Sequence, residues 1–292
     1  MSVTADPRRS GGSERILAEP IGLLAGSGRF PIVFAESARR QGLRVACVGI
    51  QYEAPEELRS LCQPFQLVGV AKLGRMIRAF RRAGVRRIVM AGKVTKNVMY
   101  TPWRMVQLVP DLRTIQMWYF RNRIDNRDDS LLLGVIAEFE RDGMTFASAL
   151  DFCPELLVKE GILTRRAPTS REQKDIEFGW TLAKEMGRLD VGQSVAIKER
   201  ATLAVEAIEG TDRCIERAGQ LCRSGGWSLV KVAKPQQDMR FDVPTIGVST
   251  IENLHRAGAK VLAIEADKTI LLDRDDVIAL ADRYGLSIVA MR

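Results

Sequence analysis

Short apolar runs that end at or next to a glycine alternate with helical segments along the first third of the chain, and no other feature constrains the fold as strongly. The runs IGLLAG, RVACVGI and RRIVMAG are apolar enough for buried strands. The intervening PIVFAESARRQG and KLGRMIRAFRRAG have helical spacing and a closing glycine. Strands and helices that alternate in this way form a parallel, doubly wound sheet. The pattern therefore predicts an N-terminal Rossmann-like α/β domain.

The same alternation returns in the last third of the chain, so the sequence predicts two α/β domains with mainly parallel sheets. We expect a disordered tail at 1–19, because that stretch is small, polar and charged. The N-terminal domain is predicted at 20–155, and a proline-containing linker at 156–170. The C-terminal domain is predicted at 171–292.

Cysteine and histidine usage argues against several kinds of site. The chain has five scattered cysteines, no CxxC pair and one histidine, His255. A structural zinc site, a disulfide framework and a Ser-His-Asp centre are therefore disfavoured. The sequence shows neither a signal peptide nor an apolar run of about 20 residues, which predicts a cytoplasmic protein.

The net charge of +8 favours an acidic partner, which could be nucleic acid, anionic lipid or a phosphorylated small molecule. Many arginines lie in the helix at 73–87, where a solvated helix face is the alternative interpretation.

The first strand-to-helix turn reads GSGRFP and contains Gly26, Ser27, Gly28 and Arg29. A glycine-rich turn before a helix can present N–H groups to a phosphate, although Pro31 departs from the dinucleotide pattern. A turn that needs glycine only for its backbone angles is the alternative. Lys93 follows a later strand at the carboxyl edge of the sheet, where ligands bind in open α/β sheets.

Acidic residues precede two predicted helices. Asp128 and Asp129 precede the helix in RDDSLLL, where Asp129 or Ser130 could cap it and where the two acids could also hold a metal or a ribose hydroxyl. In VEAIEGTD, a strand ends at acids and a new helix opens at a Thr-Asp pair. That segment contains Glu206, Glu209, Thr211 and Asp212. Such a group could bind Mg²⁺ and a phosphate or sugar, or could be an exposed acid and a helix cap.

The segment KVAKPQQDMRFDVPTIG has the strongest signal for chemistry. It contains Lys231, Lys234, Gln237, Asp238, Arg240 and Asp242. In an extended loop, Asp238 and Asp242 would share one side and Arg240 would lie opposite. Carboxylates bind a hard cation, and lysine and arginine offset the charge of a pyrophosphate. A salt-bridged surface turn is the alternative.

Residues 97–125 interleave aromatic residues and methionines with arginines. This composition suits a membrane interface or an acyl-chain groove, and it also suits a homodimer contact or ordinary core.

Several of these motifs together resemble a known family. IGLLAGSGRFP, RDDSLL, AIEGTD, VKVAKPQQDMRFDVPTIG and TI.NL...G are similar to the two-domain, magnesium-dependent UDP-2,3-diacylglucosamine diphosphatases of lipid A assembly. The similarity extends over residues 20–292. In EADKT the family pattern has glycine in place of Asp267, a departure that we expect to affect a turn.

The resemblance implies hydrolysis of the pyrophosphate of UDP-2,3-diacylglucosamine to UMP and the diacyl sugar 1-phosphate called lipid X. It implies that Asp238 or Asp242 is the catalytic acid, with Asp238 ranked first. It also implies that the substrate is held in a cleft between the two domains. Together with the motifs, it assigns catalysis and Mg²⁺ (or Mn²⁺) to Asp238, Asp242 and Glu209. The residues assigned to the substrate are Gly26, Ser27, Gly28, Arg29, Lys93, Asp128, Asp129, Thr211, Asp212, Lys231, Lys234, Gln237 and Arg240. The expected partner surface is the inner-membrane lipid, not nucleic acid, and a homodimer is possible. The alternative is a non-catalytic nucleotide-sugar or nucleic-acid binding protein.

Overall fold

The chain folds into two compact units, of which the first ends at Cys153 and the second begins at Pro154. This computed structural model describes residues 19–94, 109–121, 128–235, 238, 240 and 243–292, without the side chains of 120, 121 and 128–131. Each unit contains a sheet with helices.

The first unit is built on a five-stranded parallel sheet in the order β3-β2-β1-β4-β5. Its described strands and helices are β1 (Ile21–Ala25), α1 (Phe30–Arg40), β2 (Val45–Ile50), α2 (Leu58–Leu61), β3 (Phe65–Val68), α3 (Leu73–Arg82), β4 (Arg87–Ala91), α4 (Leu112–Arg121), α5 (Asp128–Glu140) and β5 (Thr145–Ala147). The glycine-ended runs of the sequence form β1, β2 and β4, which confirms the predicted parallel sheet.

The order of these strands positions the first glycine-rich turn. The chain passes from β1 outward to β2 and β3 and then returns to β4 on the other side of β1. The loops that follow β1 and β4 therefore leave the same edge of the sheet side by side. In open α/β sheets this reversal point is where ligands bind.

The second unit contains a six-stranded sheet in the order β6-β13-β11-β9-β7-β8. Its described strands and helices are β6 (Gly161–Ile162), α6 (Ser170–Arg188), β7 (Ser194–Lys198), β8 (Ala201–Val205), α7 (Thr211–Leu221), β9 (Trp227–Lys231), β10 (Thr245–Ile246), α8 (Val248–Arg256), β11 (Ala259–Glu265), β12 (Ile270–Leu271), α9 (Arg274–Tyr284) and β13 (Ser287–Met291). β10 and β12 pair separately as a short parallel ladder.

The predicted α/β class is confirmed, but the second sheet is mixed. β9, β11 and β13 are parallel, whereas β7 is antiparallel to both β8 and β9, and β6 is antiparallel to β13. β7 and β8 form a hairpin that joins the sheet through β7, which runs antiparallel to β9. As a result, the start of β7 lies beside the end of β9, with Ser194 opposite Lys231.

The sheet of the second unit is covered on both faces. On one face, α7, α8 and α9 pack against side chains such as Leu229 and Leu262. On the other face, α6 packs against Val195, Ile197 and Val230. Buried alternate residues point to opposite faces, as a fully enclosed strand requires.

Residues of the predicted linker at 156–170 belong to the second unit. Gly161–Ile162 is the edge strand β6, and the Thr164 hydroxyl accepts a hydrogen bond from Ile288 N at 2.9 Å. Thr169 then caps α6 through a reciprocal bond with Glu172.

Candidate active site

The carboxyl edge of the second sheet holds the start of the segment that contains Asp238. β9 ends at Lys231, and the chain continues through Val232 and Ala233, which are buried. Val232 N donates to Gln193 O at 3.0 Å, and Ala233 N donates to Glu265 Oε2 at 2.8 Å. These bonds fix the direction in which the chain leaves the sheet. Residues 232–235 are called the stem below.

Glu265 holds the stem from the neighbouring strand. It is the last residue of β11, is buried, and pairs with Lys184 Nζ at 2.6 Å and Lys268 Nζ at 2.9 Å. Burial raises the pKa of Glu265, but the hydrogen bonds from both lysines and from Ala233 N outweigh it, so the pKa lies below its ordinary value. Glu265 is therefore a carboxylate at neutral pH. Its only signal in the sequence is weak, namely an acid near the end of the apolar run KVLAIEA.

A second buried polar group lies where β8 and β9 end and α7 begins. Lys231 Nζ donates to Thr211 Oγ1 at 2.9 Å, and the Thr211 hydroxyl donates to Glu206 Oε1 at 3.0 Å. Ser194 Oγ lies 3.4 Å from the same hydroxyl. The structure thus brings together the predicted substrate residues Lys231 and Thr211. Glu206 was predicted only within the acidic segment that could bind Mg²⁺, and Ser194 was not predicted as a site residue.

Close packing keeps this polar group in place. A Cβ on Gly192 would lie 2.1 Å from Glu206 O, so only glycine permits the observed approach. Glu206 Oε2 is buried and accepts no hydrogen bond from any residue that the structure describes. Among the described residues, Glu206 therefore accepts a side-chain hydrogen bond through Oε1 only.

Asp238 and Arg240 form an ion pair within the predicted catalytic segment. Arg240 Nη2 lies 2.7 Å from Asp238 Oδ2, and Arg240 N donates to Asp238 Oδ1 at 3.0 Å. The side-chain bond from Arg240 lowers the pKa of Asp238 and burial opposes it only partly. The prediction that Arg240 lies opposite Asp238 was wrong, because residues two apart in an extended segment point to the same side, which is where Arg240 meets Asp238. Gln237 and Asp242 lie outside the described residues.

Other charged residues predicted for the site are paired at the surface. Lys234 Nζ lies 2.7 Å from Asp190 Oδ1, and Arg217 Nη2 lies 2.8 Å from Glu209 Oε1. A backbone hydrogen bond and the nearby guanidinium lower the pKa of Glu209. Asp212, in the first turn of α7, accepts a bond from Asn253 Nδ2 at 3.0 Å.

In the first unit, the predicted glycine-rich turn and Lys93 are in direct contact. Ser27 N donates to Lys93 O at 2.7 Å, Lys93 N donates to Ser27 O at 3.0 Å, and Ser27 Oγ donates to Lys93 O at 2.8 Å. A Cβ on Gly26 would lie 2.4 Å from Lys93 O. Gly26 N also donates to Ala91 O, so the first two N–H groups of this turn are already hydrogen-bonded to backbone carbonyl groups. Gly28, with φ +97°, and Arg29 complete the turn.

Two other predicted features can be placed on the structure. Asp128 and Asp129 are the first residues of α5, so the helix begins earlier than the predicted caps, Asp129 and Ser130. Asp267 has φ +59°, which accounts for glycine in the family pattern, and it pairs with Lys159 at 2.9 Å.

Metal ligation would require several of the described side chains to converge. Among them, no three acidic, histidine or cysteine side chains converge as ligands of a metal ion. Asp238 and Glu209 each face a different arginine. Because Asp242 lies outside the described residues, the assignment of the three acids to a metal stays a prediction.

Comparisons with known proteins cover nearly the whole chain. Residues 20–156 match the family model of the LpxI N-terminal domain, and residues 159–289 match that of the LpxI C-terminal domain. A curated relative from Caulobacter vibrioides, the UDP-2,3-diacylglucosamine pyrophosphatase LpxI, is 32% identical over 281 residues, which are 93% of this chain and 97% of the relative.

Proposed function

Because this chain belongs to the LpxI family, we infer that it is a hydrolase that cleaves the pyrophosphate bond of UDP-2,3-diacylglucosamine in lipid A biosynthesis. The products are UMP and 2,3-diacylglucosamine 1-phosphate. The observation that carries this conclusion is the similarity of both domains, in order and nearly end to end, to a pyrophosphatase with this substrate.

The reaction needs a water oxygen to attack one phosphorus while the bridging P–O bond breaks, and the water proton to leave. The oxyanions of the substrate repel the nucleophile, so nearby cations lower the barrier. We propose that the segment from Lys231 to Asp242 supplies these groups, with Lys231, Lys234 and Arg240 directed to phosphate oxygens. The buried stem supports this proposal, since it holds the start of the segment rigidly between Gln193 and Glu265.

Asp238 is the residue to which we assign the central role. Its lowered pKa keeps it ionised at neutral pH, and it also makes this carboxylate a weak proton acceptor. The proposal is therefore that Asp238 orients the attacking water or binds a cation. We propose that its bond to Arg240 opens when the substrate arrives, so that the guanidinium turns to a phosphate.

We also propose Mg²⁺, or Mn²⁺ in its place, as the cofactor, with Asp238 and Asp242 as the principal ligands and Glu209 as a weaker candidate. Carboxylate oxygens are the ligands that a hard cation prefers. Glu209 is weaker because Arg217 already occupies it at 2.8 Å. When bound, such a cation would offset the charge of the pyrophosphate oxygens.

For the nucleotide, we propose the turn that contains Gly26, Ser27, Gly28 and Arg29, together with Lys93. The direct contact of that turn with Lys93 and its place at the strand-order reversal support this assignment. Asp128, Asp129, Thr211, Asp212 and Gln237 remain proposed substrate contacts.

No described helix is both long enough and apolar enough to cross a bilayer. We propose that the protein acts from the cytoplasm as a peripheral protein on the inner-membrane surface, since the two acyl chains hold the substrate in lipid. The proposed ligand cleft and homodimer stay predictions.

A hydrolysis assay tests the proposed function. Purified protein is incubated with UDP-2,3-diacylglucosamine in detergent micelles, and the products are identified by mass spectrometry with Mg²⁺ and with a chelator. We expect UMP and the diacyl sugar 1-phosphate in equal amounts, and loss of both with the chelator. Binding of intact substrate with no release of UMP would instead support the non-catalytic alternative.

A further inference from the structure

Helix α4 turns apolar side chains outward. Leu112, Ile115 and Trp118 are 74%, 47% and 58% exposed, whereas Met117 on the opposite side is buried. Residues three apart lie along one side of a helix, so these three form a continuous stripe. Single exposed apolar residues are ordinary, but a stripe of large ones marks an interaction surface.

The neighbouring helix α3 exposes a stripe of arginines. Arg75, Arg78 and Arg82 are spaced by three and four residues and are exposed. Within the part of the chain that the structure describes, none of the three forms an ion pair, in contrast to Arg81, which pairs with Asp142 at 3.5 Å. This stripe is therefore available to an anionic partner.

The two stripes adjoin because α3 and α4 are tied together at their starts. Arg75 N donates to Asp111 Oδ2 at 3.2 Å, and Leu73 N donates to Thr114 Oγ1 at 3.2 Å. A Cβ on Gly74 would lie 3.0 Å from Asp111 Oδ2 and 3.4 Å from Arg78 Nη1. The Arg78 guanidinium thus lies beside the residue that precedes Leu112. The two stripes together are called the α3–α4 face.

We propose that the α3–α4 face docks the protein onto an anionic lipid bilayer. Leucine, isoleucine and tryptophan suit the boundary between head groups and acyl chains, and arginines suit lipid phosphates. A second copy of the chain fits less well, because a two-fold contact would place the arginine stripe against either its own copy or the apolar stripe, and neither offers an anionic partner. A nucleic-acid duplex would leave the apolar stripe without a partner. The docking proposal rests on the proposed function only in one respect: a docked enzyme would lie beside its diacyl substrate.

Sedimentation with vesicles tests the proposal on the full chain. The vesicles contain either phosphatidylcholine alone or equal parts of phosphatidylcholine and phosphatidylglycerol. We expect binding to the second kind, weakened by salt. The double variant Arg75→Gln/Arg78→Gln should lose about thirtyfold in affinity, at roughly fivefold for each arginine. Leu112→Ser/Trp118→Ser should lose at least about tenfold.

Matched controls separate this face from general charge and hydrophobicity. Arg39→Gln/Arg40→Gln removes two exposed arginines from α1, and Leu221→Ser removes a 64% exposed leucine from α7. Both controls should bind vesicles like the wild type, and circular dichroism should show every variant folded.

Three results would overturn the proposal: wild-type protein that ignores anionic vesicles, face variants that bind like the controls, or binding to a DNA duplex with the same losses. Hydrolysis of substrate in detergent micelles is measured in parallel. Because that assay needs no bilayer, an inactive wild type that still binds vesicles refutes the proposed function and leaves the docking face intact.

Discussion

Replacing Glu265 by alanine tests whether the stem is held as the structure shows. The change removes the acceptor of Ala233 N–H, which is 2% exposed, and the shared partner of Lys184 and Lys268. A buried donor left without an acceptor costs about 1–3 kcal/mol, and breaking a buried ion pair costs about 3–5 kcal/mol. Since both lysines can turn to water, we expect a loss of about 3 kcal/mol in the free energy of unfolding of the second unit.

Urea denaturation followed by tryptophan fluorescence measures this loss, with the buried Trp227 reporting on the second unit. With a urea slope of about 2 kcal/mol per molar, the midpoint should fall by roughly 1.5 M. Lys268→Ala is the matched control. It removes one partner that is 50% exposed, and it should cost less than about 1 kcal/mol.

The pH dependence of this difference follows from the lowered pKa of Glu265. The folded-state pKa of Glu265 is lower than its unfolded-state pKa, which is near 4.5. The carboxylate therefore stabilises the fold at pH values above about 4.5, and this stabilisation is lost as the pH falls through the folded-state pKa. The gap between wild type and Glu265→Ala should therefore be full at pH 7 and shrink below about pH 4.5. A midpoint unchanged at pH 7 would refute the role of Glu265 in holding the stem.

Three further changes have expected outcomes. Gly192→Ala should lower the free energy of unfolding by about 2–3 kcal/mol, because its Cβ would lie 2.1 Å from Glu206 O, and an unchanged melting temperature would contradict this packing. Arg200→Gly should raise stability by ~0.5 kcal/mol, because Arg200 has φ +60°, and thermal unfolding would show a decrease if the strain were absent. Ser27→Ala removes a hydroxyl that donates to Lys93 O at 2.8 Å; steady-state kinetics should show KM raised about threefold with kcat unchanged, and an unchanged KM would remove this turn from substrate binding.

Local sequence patterns predicted the parts of the fold in which strands and helices alternate regularly along the chain. The glycine-ended runs predicted β1, β2 and β4 because each is a fully buried parallel strand. The prediction of mainly parallel sheets did not include the antiparallel place of β7 and β8 in the second sheet. The turn between them has no glycine or asparagine. The Asp175 carboxylate accepts hydrogen bonds from Glu199 N at 3.0 Å and from Arg200 N at 2.7 Å. That contact joins residues too distant in sequence for a local pattern to show.

The candidate site was predictable in its location but not in its pairing. Strand-end lysines and acids indicated the carboxyl edge of the second sheet, where the structure places Lys231 and the stem. The role of Glu265 depends on the adjacency of β9 and β11, which no spacing in the sequence reveals. The bond between Asp238 and Arg240 joins residues two apart, which strand alternation places on one side without showing that they pair.

The most direct test of the proposed mechanism measures UMP release from UDP-2,3-diacylglucosamine by the wild type, by Asp238→Asn and by the control Asp276→Asn. Asp276 is an exposed acid in the first turn of α9. We expect Asp238→Asn to lower kcat by at least about 100-fold with an unchanged melting temperature, and the control to match the wild type. Full activity of Asp238→Asn would contradict the assignment of the chemistry to this segment.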